Sequence, residues 1–321
     1  MMNNSGSEFT GDHPGHRSGF IALVGRPNVG KSTLLNCMVG NVVSITTSTP
    51  QTTRNRVRGI VSLENCQMVF LDTPGLHFPA NRKAINRFMH SEAKAALAEV
   101  DLVVMVVESR KKEDLPDGHP EDRLVMEAVK DSGRLALLAI NKIDLLGQKE
   151  TLLPQLSAYA TDGLFEELIP ISAISGEGVE ILLSAIAKRL PVGPRYFPDD
   201  IITDQPERLL AAEFIREQVI RHTGQEIPHA VAVVIDAFEE HPERDLAVIH
   251  ATIYVERSSQ KGILIGAGGK KLKSIGSRSR ASIERLLACR VFLDLRVKHL
   301  TNWSRTSSGL RSMGYLGEPE S

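Results

Sequence analysis

The octapeptide Gly25-Arg26-Pro27-Asn28-Val29-Gly30-Lys31-Ser32, set directly after the apolar run Phe20 to Val24, fits GxxxxGK[ST] and leaves few folds open to this chain. Glycines there let the backbone curl so that its N–H groups face phosphate oxygens, Lys31 bridges the terminal phosphates, and the Ser32 hydroxyl ligates Mg2+. Such a loop belongs between a strand and the positive N-terminal end of a helix. The rest of the first half agrees: apolar runs at Met68 to Leu71, Leu102 to Val107, Leu135 to Ile140 and Leu168 to Ile171 alternate with helical periods at Lys31 to Met38, Ile85 to Ala98, Glu121 to Asp131 and Val179 to Leu190. That alternation is the pattern of a parallel sheet with crossover helices. It predicts a doubly wound, mostly parallel α/β domain over residues 18–191, with its ligand off the carboxyl ends of the strands.

A phosphate loop does not choose a base, but Asn141-Lys142-Ile143-Asp144 closes one of those strands. A carboxylate accepts from both N1–H and the exocyclic amine of guanine, a donor pair that adenine lacks, and leaving that carboxylate unpaired is costly. The motif therefore points to GTP and GDP. Ser172-Ala173-Ile174 follows another strand, where a small loop places a backbone N–H on the guanine oxygen. Asp72-Thr73-Pro74-Gly75 fits DxxG, with Asp72 holding Mg2+ through water and the Gly75 N–H sensing the terminal phosphate; read alone, it is equally a type II turn. The polar stretch Thr46 to Arg54 reads as a switch loop whose threonine completes the metal shell, Thr52 and Thr53 both being open.

Composition bounds the rest. The net charge is −1, yet Lys261 to Leu300 holds ten Lys or Arg against Glu284 and Asp294, a local +8 that leaves −9 elsewhere. That asymmetry suits a polyanionic partner, nucleic acid or an anionic membrane surface. No window approaches the ~18 apolar residues of a membrane span and the N-terminus lacks a signal-peptide core, so a cytoplasmic protein is expected. Cys37, Cys66 and Cys289 are too few and too widely spaced for a disulfide framework or a zinc cluster.

The second half opens after Pro191-Val192-Gly193-Pro194, with residues 192–206 read as a linker and 207–315 as a smaller α+β domain. A helix from Glu207 to Thr223 precedes strands at Ala230 to Phe238, Asp245 to Val255 and Val291 to Val297. Between the last two strands, Gly266-Ala267-Gly268-Gly269 is a GxxG joining two short helices, followed by Lys270, Lys271 and Lys273. Such a loop lets backbone and helix ends approach about four unpaired nucleotides whose bases enter an apolar groove. The helix-strand-strand order around it resembles a type II KH domain, although Ala267 and Gly268 stand where RNA-binding loops of that kind often carry a basic residue. Residues 1–17 and 316–321 read as disordered tails.

The five first-half motifs resemble the translation-factor-related GTPases, and GRPNVGKS, QTTR, DTPGL, YFPDDIITD, EIPHAVAVVI and LRSMGY resemble the Era family from Ser18 to Tyr315. The resemblance implies GTP hydrolysis, binding of single-stranded RNA from the 3′ region of the small-subunit ribosomal RNA, and a role in small-subunit assembly by a monomer. It favours Thr53 as the Mg2+ ligand beside Ser32 and Asp72, and extends nucleotide contact to Val29 and Thr33. Where Ras-like proteins carry a water-orienting Gln, this chain has Leu76, which neither donates nor accepts; the resemblance implies a potassium ion held through Asn28 in its place. Lys31, Thr53, Gly75 and Asn28 are thus the expected catalytic set. The competing reading is a peripheral membrane signalling GTPase whose basic face meets lipid, although no amphipathic helix with bulky apolar anchors supports it.

Overall fold

The computed structural model describes residues 15–47, 49, 52–75, 84–109, 119–161, 163–223, 227 and 231–315. Six strands form the first sheet: β1 (Arg17–Val24), β2 (Val57–Leu63), β3 (Cys66–Asp72), β4 (Leu102–Glu108), β5 (Leu135–Asn141) and β6 (Glu167–Pro170). Their order is β2-β3-β1-β4-β5-β6, with β2 antiparallel to β3 and the remaining pairs parallel. Alternate residues of β1 feed two cores, Ile21 and Leu23 on one side and Ala22 and Val24 on the other, which is why this strand reads as an unbroken apolar run. Helices α1 (Lys31–Val39) and α5 (Val179–Arg189) cover one face, and α2 (Ala84–Glu99), α3 (Pro120–Ser132) and α4 (Leu153–Ala160) the other. Because β1 lies between β3 and β4, the loop that leaves it sits where the strand order reverses, the place a doubly wound sheet reserves for ligands.

Two differences from the sequence reading have local causes. Strand β2 was not expected, since Arg58 and Gly59 interrupt its apolar pattern; a Cβ at Gly59 would lie 2.5 Å from the Leu35 side chain, so the glycine is what lets α1 close onto this strand. His16 and Arg17, expected in the tail, are ordered: His16 is 2% exposed, and Arg17 donates from its backbone to Asn65 and from its side chain to Leu190. The expectations for 1–14 and 316–321 fall outside the described residues.

The stretch 192–206 runs along the first sheet. The Gln67 amide donates to the Phe197 carbonyl at 2.8 Å and accepts from the Tyr196 and Phe197 N–H groups, while Ile60 N–H donates to Ile202 at 2.8 Å. Beyond it, α6 (Glu207–Arg221), α7 (Ser258–Ile265) and α8 (Lys270–Leu287) pack on a sheet of β7 (Val231–His241), β8 (Leu246–Val255) and β9 (Arg290–His299). β7 and β8 are antiparallel and β8 and β9 parallel. Of the two helices expected to be short, α8 runs 18 residues, because Ile275, Ser279 and Ile283 repeat at a spacing of four and form its buried stripe, Ile275 and Ile283 in the core of the second sheet. After β9, Trp303 and α9 (Ser307–Ser312) join Ile85 and Met89 of α2 to Ala232 of β7 in one apolar cluster.

Candidate functional site

The loop from Gly25 to Gly30 carries the chain from β1 to the N-terminus of α1 with Asn28 at φ 65° and Gly30 at φ 101°. A side chain at Gly30 would run into the Asn141 amide, so position and backbone angle both demand glycine. That amide donates to the Val29 carbonyl at 2.8 Å, and its oxygen accepts from Ala173 N–H at 2.9 Å. Asn141 thereby ties three expected nucleotide-contacting loops together. Lys31 is 6% exposed and donates to the Gly25 and Arg26 carbonyls at 2.9 and 3.1 Å. Burial pulls its ammonium down to about 8, against the attraction of Asp72. Thr33 is half-buried in the first turn of α1.

Hydroxyls converge on the buried Asp72 carboxylate at the end of β3. Its Oδ2 accepts from Ser32 Oγ at 2.6 Å and Ser44 Oγ at 2.9 Å, and Thr53 Oγ1 lies 2.9 Å from Ser32 and 3.5 Å from Oδ2. The second carboxylate oxygen is buried and has no partner among the described residues. Burial pushes this carboxyl up, while Lys31 and the hydroxyls favour its charge. Several hard oxygens about one point, one of them a carboxylate oxygen left without a donor, fit Mg2+. Thr52 turns elsewhere, to Thr47 Oγ1 at 2.6 Å and the Thr49 carbonyl at 2.7 Å. Gly75 lies so close to the loop that a Cβ there would sit 2.8 Å from Pro27 N. Leu76 and Gln51 fall outside the described residues.

On the base side, exposed Asp144 accepts from Ser172 Oγ at 2.6 Å, which aims the carboxylate. Lys142, at φ 67°, pairs with Glu108 at 3.0 Å, and Glu108 also meets Arg26 of the phosphate loop at 2.8 Å. Although partial burial opposes its ionisation, these two cations hold the Glu108 carboxyl below the usual range.

Sequence reading did not single out Ser44, nor the residues that hold the switch segment. Ile45 is buried in the core of the second sheet, and Arg221 donates to the Thr46 carbonyl at 2.9 Å. Arg216, 1% exposed on α6, donates to the Thr52 carbonyl and to Glu213. Arg54 donates to the Val231 carbonyl at 2.7 Å and the Tyr315 hydroxyl at 2.9 Å, with its guanidinium 5.6 Å from the Trp303 ring centre and 5.7 Å from that of Tyr315. Cation–π contacts of this kind contribute roughly 0.5–2 kcal/mol each.

In the second half, Gly266, Gly268 and Gly269 all have positive φ, which makes the turn between α7 and α8 one that ordinary side chains resist. Ala267, Gly268, Lys270 and Lys273 are exposed and Lys271 is half-buried. Beside this turn an open groove of about 460 Å³ runs between α8 and β9, floored by Leu272, Leu293 and Leu295 and edged by Lys273 and Arg280. The sequence indicated an apolar groove; its floor on β9 and the cation at Arg280 emerge only from the packing.

Comparison with known proteins finds a family model described as a 50S ribosome-binding GTPase over residues 20–142 and a KH domain model over 226–304. The GTPase Era of Syntrophus aciditrophicus is 48% identical over 299 residues, covering 93% of this chain and 95% of that protein. That of Alkaliphilus metalliredigens is 45% identical over 300 residues, covering 94% and 99%. Among solved structures, a variant of Aquifex aeolicus Era bound to GDP and aluminium fluoride superposes with a TM-score of 0.88 at 36% identity, covering 93% of this chain and 99% of the other. An Era in complex with MgGDPNP and nucleotides 1506-1542 of 16S ribosomal RNA gives the same TM-score and identity, covering 94% and 99%.

Proposed function

The chain belongs to the Era family of GTPases, and on that premise we propose that it hydrolyses GTP with Mg2+ while binding single-stranded RNA from the 3′ region of 16S ribosomal RNA, in the service of small-subunit assembly. The observation that carries this reading is the convergence of Ser32, Ser44 and Thr53 on buried Asp72, beside the phosphate loop of a chain that also bears a GxxG-edged basic groove. A relative solved with MgGDPNP and a 16S ribosomal RNA fragment supports both halves.

Ser32 and Thr53 would hold the metal directly and Asp72 through water. Bound there, Mg2+ neutralises charge on the β- and γ-phosphates. The amides of residues 28 to 33 cradle phosphate oxygens, Lys31 brings its ammonium to the terminal phosphates, and the Gly75 N–H donates to the γ-phosphate oxygen. Asp144 and a backbone N–H of the Ser172-Ala173-Ile174 loop read the guanine. Asn28 would supply a side-chain oxygen to a potassium ion, whose charge would offset that building in the transition state. Lys270, Lys271 and Lys273 meet RNA phosphates while bases enter the groove over Leu293 and Leu295. The protein acts as a cytoplasmic monomer; among the described residues no helix is long and apolar enough to cross a membrane. Anionic lipid is the competing partner for the basic segment, but the apolar floor between its cations favours bases over headgroups.

Single-turnover GTP hydrolysis and gel-shift binding, using the full chain and a fragment from the 3′ end of 16S ribosomal RNA, test the reading. The single-stranded fragment is expected to bind in preference to the same sequence in duplex, and hydrolysis to require Mg2+. Equal binding of both forms overturns the RNA assignment, and metal-independent hydrolysis overturns the catalytic one.

A further inference from the structure

The switch threonine is held from the far half of the chain. The carbonyl that accepts from Arg216 belongs to the peptide joining Thr52 to Thr53, and because a peptide unit is planar, fixing its carbonyl also fixes the N–Cα bond from which the Thr53 side chain projects. Arg216 has little reason to be where it is on packing grounds. It is 1% exposed, one of its terminal nitrogens is buried without a partner among the described residues, and a hydrocarbon of similar length would fill the space with no charge to desolvate. Glu213, which accepts from its Nε at 2.8 Å, keeps the guanidinium aimed at the Thr52 carbonyl.

We propose that Arg216 of α6 is a positioning residue for the metal site, a latch from the RNA-binding half that sets the Thr52–Thr53 peptide so that the Thr53 hydroxyl stays beside Ser32 and Asp72. This rests on the assignment of Thr53 to the Mg2+ shell. The latch acts only when the switch threonine is in use, so it separates GTP from GDP: the γ-phosphate state needs Thr53, and GDP held by the phosphate loop and Asp144 does not.

The test titrates Mg2+ into the full chain with a fluorescent non-hydrolysable GTP analogue and reads the midpoint of binding. Arg216→Met is expected to raise that midpoint about tenfold, the range for losing one hydrogen bond from a charged donor, with GDP affinity and RNA-fragment binding unchanged. Thr53→Ala should raise it comparably, and the double variant no further than the larger single change, because both remove one arrangement. If Arg216→Met does not fold, Arg216→Lys retains the charge beside Glu213 without the planar fork that reaches both partners, and is expected to shift the midpoint in the same direction by less. A folded Arg216 variant with the parent midpoint, or shifts that simply add in the double variant, overturns the latch alone. A parent protein whose analogue binding ignores Mg2+ overturns the metal assignment and the latch with it.

Discussion

In the proposed function, Asp144 and Asn28 are the residues at which single atoms would decide the chemistry. Asp144→Asn replaces one acceptor by a donor, so GTP affinity is expected to fall about a hundredfold or more while xanthosine triphosphate, which offers a carbonyl where guanine has an amine, gains. Competition binding with the two nucleotides measures it, and unchanged GTP affinity would contradict the role of the carboxylate. At Asn28 the expected outcome is hydrolysis faster by on the order of tenfold in K+ than in Na+ at equal ionic strength, with the difference gone in Asn28→Ala. Equal parent rates in the two salts would remove potassium from the reading. The reading of Asp144 comes from a local motif, the atoms that act lying within a few bonds of the turn that aims them, whereas that of Asn28 comes from the family resemblance alone. Ser44 was not legible, since it meets Asp72 only when β3 is brought beside the loop after α1, and nothing within a few residues of a lone serine announces that meeting.

Among elements of the second half, the GxxG turn was marked by its glycines, whereas α8, expected to be short, runs 18 residues. The four-residue turn is fixed by its glycines, but the groove depends on Leu293 and Leu295, which in sequence are only the apolar half of an alternating strand. Asp at both Ala267 and Gly268 sets two negative charges against RNA phosphates at exposed positions, so binding should collapse while circular dichroism stays that of the folded chain. Tight RNA binding by that folded variant would speak against the groove. Lys271→Ala is expected to weaken binding modestly and lower the salt slope by about 0.7, one single-strand phosphate contact, in a titration of affinity against salt. Strand β2 shows the opposite limit. It is an edge strand whose glycine serves the helix behind it, and that service is invisible to a pattern of alternation.

At the scale of the whole molecule, the segment after β9 closes the chain on itself. Trp303 is 1% exposed, stacks on Tyr315 at 14°, faces the Arg54 guanidinium and packs with Ile85 and Met89 of α2. Trp303→Ala is expected to cost about 3–5 kcal/mol and to lower the urea midpoint of the first-half transition along with that of the second. A change confined to the second half would show that the bridge contributes nothing to the first. Sequence alone determined the alternation of strands and helices, the loops at the strand ends and the nucleotide chemistry those loops suit, because each of these is written in residues close along the chain, in a period or a turn. The tertiary structure decided that Thr53 rather than Thr52 faces Asp72, that Ser44 joins them, and that Arg216 holds the switch from 164 residues away. Such contacts leave no period and no motif in a single sequence, since their geometry exists only once two separate cores have packed against the same short loop.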